Sequence, residues 1–82
     1  EYRDATGTLA LAELPVHPGW IGQRSSKLGF DSGARIGFIH RFGEAIMPTK
    51  ETVIQEGDIV HAIFKLSEQE SVMNIFSSAP EH

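Results

Sequence analysis

Cysteine is absent from this 82-residue chain, which excludes a disulfide framework and thiolate-bound zinc and agrees with a reducing, cytoplasmic compartment. Positive charge is also scarce. Seven Lys and Arg against eleven Asp and Glu give a formal net charge of −4, and the cations are scattered, so direct nucleic-acid binding is not expected. No apolar run approaches the roughly 20 residues that a bilayer span needs, and the N-terminus lacks a signal-peptide layout. Catalytic signatures are missing too: there is no G-x-S-x-G elbow, no P-loop and no G-x-G-x-x-G after a strand. The expectation is therefore a protein that is not an enzyme and that holds no cofactor in this domain.

What is present is an ordinary globular mixture, 40% apolar and 22% charged. A chain of this length buries only about 60–65% of its unfolded surface, so its core is thin and a partner subunit would help. Apolar residues on both faces of the predicted strands point the same way, to a homodimer. The chain starts Glu1-Tyr2-Arg3 without Met, as expected of a piece of a longer polypeptide or a processed product.

Alternating apolar residues and Gly/Pro punctuation predict a small α+β domain, mainly an antiparallel sheet with two short helices. Residues 1–8 read as a linker, 9–77 as the domain and 78–82 as a flexible tail. The first strand runs from Leu9 to Val16 and is stopped by Pro15 and Pro18. Ile21 to Leu28 follows as a weak helix with Gly29 as its left-handed cap, and Asp31-Ser32-Gly33 is a loop. Arg35 to Phe42 is a strand with Ile36, Phe38, His40 and Phe42 on the core side. Gly43 reverses the chain into a strand over Glu44 to Met47 that ends at Pro48, and Thr52 to Ile54 adds a brief strand. The turn Gln55-Glu56-Gly57-Asp58 leads to a strand from Ile59 to Leu66. A capping box of Ser67 and Glu70 then opens a helix with the stripe Val72, Met73, Ile75 and Phe76.

Three constellations could carry chemistry. His17, His40, His61 and His82 fit no metal-ligand spacing, and plain strand histidines are the simpler reading of His40 and His61; a small metal-dependent enzyme using that pair is the alternative. Glu44, Glu51, Glu56 and Asp58 gather at turns, where carboxylates commonly bond to nearby backbone. Arg35, His40 and Arg41, with Arg24 and Lys27 on the preceding helix, could form an anion site at a subunit seam. The competing reading has both strand arginines paired with acidic neighbours.

The ordered series Leu9-Ala10-Leu11-Ala12-Glu13-Leu14, Val16 to Gln23, Ala34 to Glu44, Pro48, Thr52-Val53-Ile54 and Gly57-Asp58-Ile59-Val60 resembles the C-terminal domain of regulators of potassium conductance, also called the TrkA C-terminal domain. That resemblance implies an α+β regulatory domain, typically dimeric, following a Rossmann-like domain that binds nucleotide or NAD. It implies a cytoplasmic regulator docked on a membrane-embedded K+ transport subunit, gating it allosterically in response to a small-molecule or nucleotide effector. The same domain type on a cation/proton antiporter, an anion carrier or a transcription factor is the alternative. Some members bind cyclic di-AMP through an Asp, an Arg and an Asn. Gly29, Asp31 and Arg35 stand at those positions here, and a carboxylate in place of Arg repels phosphate, so the resemblance carries over neither that ligand nor any site residue.

Overall fold

Period-two alternation builds one five-stranded sheet in the computed structural model, which describes residues 1–81. The strands are β1 (Tyr2–Arg3), β2 (Leu9–Leu14), β3 (Arg35–Arg41), β4 (Glu44–Ile46) and β5 (Ile59–Lys65), all antiparallel in the order β1-β2-β5-β3-β4. Two helices, α1 (Ser25–Ser32) and α2 (Gln69–Phe76), pack against each other and cover one face. The α+β architecture expected from the sequence is the one formed. The chain from β1 to β2 turns around Asp4, whose carboxylate accepts from the backbone N–H groups of Thr8 (2.8 Å) and Leu9 (2.7 Å) and from the Thr6 hydroxyl.

The core lies between sheet and helices. Ala10 and Leu14 of β2, Val60, Ala62 and Phe64 of β5 and Ile39 of β3 meet Leu28, Val72, Phe76, Trp20 and Ile54. Trp20 is 1% exposed, and its indole N–H donates to the Ser78 carbonyl at 2.8 Å, satisfying the one polar atom that its burial would otherwise strand. Ser78, at the start of the segment read as a tail, is thereby tied to the core.

Four local expectations are corrected. The first helix is α1, four residues later than predicted, and its left-handed cap is Gly33 (φ 82°) in place of Gly29. Pro18–Trp20 forms a 3-10 turn, Gly22 adopts φ 92°, and Gly22 and Gln23 exchange backbone hydrogen bonds with Ile54, so helix can start only beyond them. The predicted capping box does not form: Leu66–Glu68 is a 3-10 turn, and α2 starts at Gln69 with no side-chain cap. Thr52 to Ile54 contributes a single bridge, Val53 to Arg24, and no strand. The core side of β3 also changes along its length. Ile36 pairs with Ala62 but Phe38 with His61, leaving Gly37 as the extra residue of a β-bulge. The bulge reverses the alternation. Ile39, expected outside, is fully buried, whereas Phe38 and His40 face outward and Phe42 is 92% exposed.

Candidate functional site

The sequence proposed Arg35, His40 and Arg41 as one anion locus, and the fold separates them. Six residue steps of extended chain separate Arg35 from Arg41, a span of about 20 Å. Each ends in a different environment.

Arg41 is committed to structure. Its guanidinium donates to both Asp58 oxygens, Nε at 2.9 Å and Nη2 at 2.8 Å, and Nη2 also donates to the Val53 carbonyl at 2.9 Å. The Asp58 side chain is 1% exposed and accepts a third bond from the Gln55 N–H. This fork ties the end of β3 to both ends of the 53–58 loop. The Arg41 contact holds the Asp58 carboxyl below its ordinary value, and Asp58 in turn raises the guanidinium.

His40 lies on the outer sheet face in a cluster of three rings. His61 stacks on Phe38 with centroids 4.2 Å apart, and His40 stands edge-on to both, at 5.0 Å from His61 and 5.5 Å from Phe38. Among the described residues no three His, Asp or Glu side chains converge as a metal group would need. His17 is used as a cap, its Nδ1 accepting from the Gly19 N–H at 2.9 Å. His82 lies outside the described residues.

Arg35 alone borders a ligand-sized groove. It opens between α1, the start of β3 and the 48–50 segment, with a volume of about 430 Å³, within the range of small-molecule sites. Ser26 and Gly29 come from α1, Arg35 and Ile36 from β3, and Pro48, Thr49 and Lys50 from the opposite wall. Gly29 suits a close approach: a Cβ there would lie 3.1 Å from the Ala34 carbonyl oxygen. The Ser26 hydroxyl donates to the Lys50 carbonyl at 3.4 Å and links the two walls. Among the described residues neither Arg35 nor Lys50 forms an ion pair, so two uncompensated cations edge the groove. Sequence reasoning named Arg35 but missed Lys50 and Ser26. The stop at Pro48, which turns the next two residues back towards α1, was the available signal.

Arg24 and Lys27 are otherwise engaged, Arg24 with Glu51 at 3.9 Å and Lys27 with Asp31 at 2.9 Å. Lys27 also lies 5.9 Å from the centre of the Trp20 ring. It borders a larger hollow of about 560 Å³ between α1 and α2, beside Phe30 and Asn74. The groove at Arg35 is the better anion candidate, because its charges are unspent.

Residues 9–77 match the TrkA-C domain family. The chain belongs to that family. It is 41% identical over 80 residues to the Trk system potassium uptake protein TrkA of Streptomyces coelicolor, a match covering 98% of this chain and 36% of that protein. Over 61 residues it is 31% identical to the K(+)/H(+) antiporter NhaP2 of Shewanella sp. strain ANA-3, covering 74% of this chain and 11% of the antiporter. Among solved structures, the GsuK RCK domain superposes with a TM-score of 0.75 at 28% identity, over 98% of this chain and 18% of that one. The GsuK channel bound to NAD gives the same TM-score and covers 15% of that chain. The chain thus spans about a third of the length of the TrkA protein and less than a fifth of each of the others. No helix among the described residues is long and apolar enough to cross a membrane.

Proposed function

We propose that this TrkA-C domain is the effector-responsive regulatory module of a potassium uptake system, acting on a membrane-embedded K+ transport subunit from the cytoplasmic side. The observation that carries this reading is the 41% identity to a Trk potassium uptake protein across nearly the whole chain. Regulation is allosteric, not chemical. An effector that binds one arrangement of paired domains better than another shifts the population by that difference in affinity and by no more. Residues 9–77 are the regulatory unit, and 1–8, which add the short edge strand β1 to its sheet, lead into it from a nucleotide- or NAD-binding domain.

The effector is a small anion, nucleotide-like in charge. Arg35 and Lys50 receive it from opposite walls of the groove, with the Ser26 hydroxyl between them. Arg41 acts at a distance, because its fork to Asp58 and Val53 positions the loop that follows the Pro48–Lys50 wall. His40 meets a ligand only where a second subunit closes over the outer face.

Thermal shift of the domain against nucleotides, cyclic dinucleotides and inorganic phosphate tests this. A ligand at 100 times its Kd stabilises the native state by about 2.7 kcal/mol. Arg35→Ala and Lys50→Ala should each abolish that gain while leaving the unliganded melt unchanged. A panel in which no anion raises the melting temperature, or a gain untouched by Arg35→Ala, would remove the groove from the mechanism. The antiporter match supports a second reading, in which the same module regulates a K(+)/H(+) exchanger. Potassium flux in vesicles with and without an imposed proton gradient separates the two.

A further inference from the structure

Cations that are scattered along the chain are gathered by the fold. Arg24, Lys27 and Lys50 border a hollow of about 860 Å³ on the outer side of α1, which shares Ser26 and Lys50 with the groove at Arg35. The acids on this side are Asp31, paired with Lys27, and Glu51, paired with Arg24. Four of the seven Lys and Arg and two of the eleven Asp and Glu thus lie here, which leaves three cations against nine acids for the rest of the chain. Lys27 is spent on Asp31. Arg24 is not, because its contact with Glu51 spans 3.9 Å between side chains 61% and 75% exposed, a geometry that contributes little. Lys50 and Arg35 form no ion pair among the described residues. At the edge of the same hollow stands Phe30, 88% exposed. Its ring also borders the hollow between α1 and α2, where Asp31 and Glu81 lie, so it forms a ridge with the unspent cations on the other side.

We infer that this side of α1 is a contact surface for an anionic lipid bilayer. The Phe30 ring enters the headgroup layer, and Arg24 and Lys50, with Arg35 behind them, meet the lipid phosphates. An exposed aromatic beside cations is what a lipid interface selects, and each Lys or Arg brought to an anionic leaflet strengthens binding about five-fold. The acid-rich remainder of the chain is repelled by the same leaflet, so only this side can approach and the orientation is fixed. An acidic peptide or a single-stranded nucleic acid would meet the same cations, but the shape disfavours both. A peptide lays its apolar side chains into a groove, whereas here the apolar group projects. Successive bases need a row of rings, and Trp20, the other aromatic bordering these hollows, is 1% exposed. Three unspent cations and one ring give a weak, reversible contact. The inference goes beyond the proposed function, since it needs neither an effector nor a transport subunit.

Co-sedimentation of the 82-residue chain with vesicles at millimolar lipid and low salt tests it. The chain should bind vesicles containing about 40% phosphatidylglycerol in phosphatidylcholine, should ignore pure phosphatidylcholine, and should be released by about 0.5 M NaCl. Arg24→Glu should lower the partition coefficient about 25-fold, for one cation lost and one anion gained. Phe30→Ser should lower it about 5- to 10-fold through the lost apolar contact. Both residues are exposed, and Trp20 fluorescence checks that the variants stay folded. Phe42→Ser, which removes an equally exposed ring at the tip of the β3–β4 hairpin, should change nothing. A wild type that stays free of anionic vesicles, binds neutral ones equally, or is indifferent to Phe30→Ser or Arg24→Glu overturns the inference. Loss of binding in Phe42→Ser moves the contact to the hairpin and likewise overturns it. Fluorescein-labelled decaglutamate and oligothymidine are run beside the vesicles. Arg24-dependent binding of either, with vesicles left free, reassigns the surface to an acidic peptide or a nucleic acid. None of these results bears on the effector groove, which thermal shift reads without lipid.

Discussion

Asp58→Asn keeps the shape of the side chain that closes the loop after Gly57 and removes its charge. In the native protein the carboxylate accepts two bonds from Arg41 and one from the Gln55 N–H. An amide offers one acceptor oxygen, and its NH₂ group must face a donor, whichever way it is turned. The Arg41 side chain, 20% exposed, loses its counter-charge while still largely out of water. Breaking a buried pair from one side costs about 3–5 kcal/mol, and the partial access of Arg41 places this case near about 3 kcal/mol. An 82-residue domain has a total stability of about 4–12 kcal/mol, so a large share is at stake. The melting temperature should fall by about 12–24 °C.

Urea unfolding followed by the single, buried Trp20 measures the loss directly. The pH dependence identifies its cause. The folded-state carboxyl of Asp58 is held below the ordinary 3.8, first by the Arg41 hydrogen bond. Its contribution is therefore present above pH 3.8 and is lost as pH falls through the lower folded value. The gap between wild type and variant should close in that acid range. A loss under about 1 kcal/mol, far below the buried-pair range, or a gap independent of pH, would refute the argument that this pair organises the loop.

Three further outcomes follow from the same geometry. Gly29→Ala improves helix propensity by about 1 kcal/mol, yet its Cβ would stand 3.1 Å from the backbone oxygen of Ala34; with an overpacking cost of about 1–3 kcal/mol, a net destabilisation of about 0–2 kcal/mol in urea melts is expected, and a variant more stable by the full helix-propensity gain would refute the close approach. Phe42 holds φ 50° next to Gly43 at φ 80°, the pattern of a type I′ hairpin turn that favours Asn-Gly, so Phe42→Asn should stabilise the domain by about 0.5–1 kcal/mol through relief of backbone strain, and no gain in melting temperature would count against that strain. Trp20→Phe removes the bond to the Ser78 carbonyl and should cost about 1–3 kcal/mol for the acceptor left unpaired, with faster amide exchange after Phe76; unchanged exchange there would show that the indole does not anchor this segment.

Much of the architecture is legible in local sequence because local sterics decide it. Apolar alternation marks β2, β3 and β5, Gly43 and Gly57 take the positive φ their turns require, and Pro48 cannot extend the β4 ladder. The TrkA-C family is legible as well, since it is written in the order of those same features. What only tertiary structure decided depends on partners distant in the chain. The start of α1 was set by Gly22 and Gln23 bonding to Ile54, some thirty positions on, which no local propensity records. Gly37 looked like one more strand residue, but the register of β5 made it a bulge and so exchanged Ile39 for Phe38 and His40 between core and outer face. The candidate site divided for the same reason. Residue type marked Arg35 and Arg41 alike as cations on one strand, whereas only the approach of Asp58 consumed Arg41 and only the 48–50 wall gave Arg35 a groove.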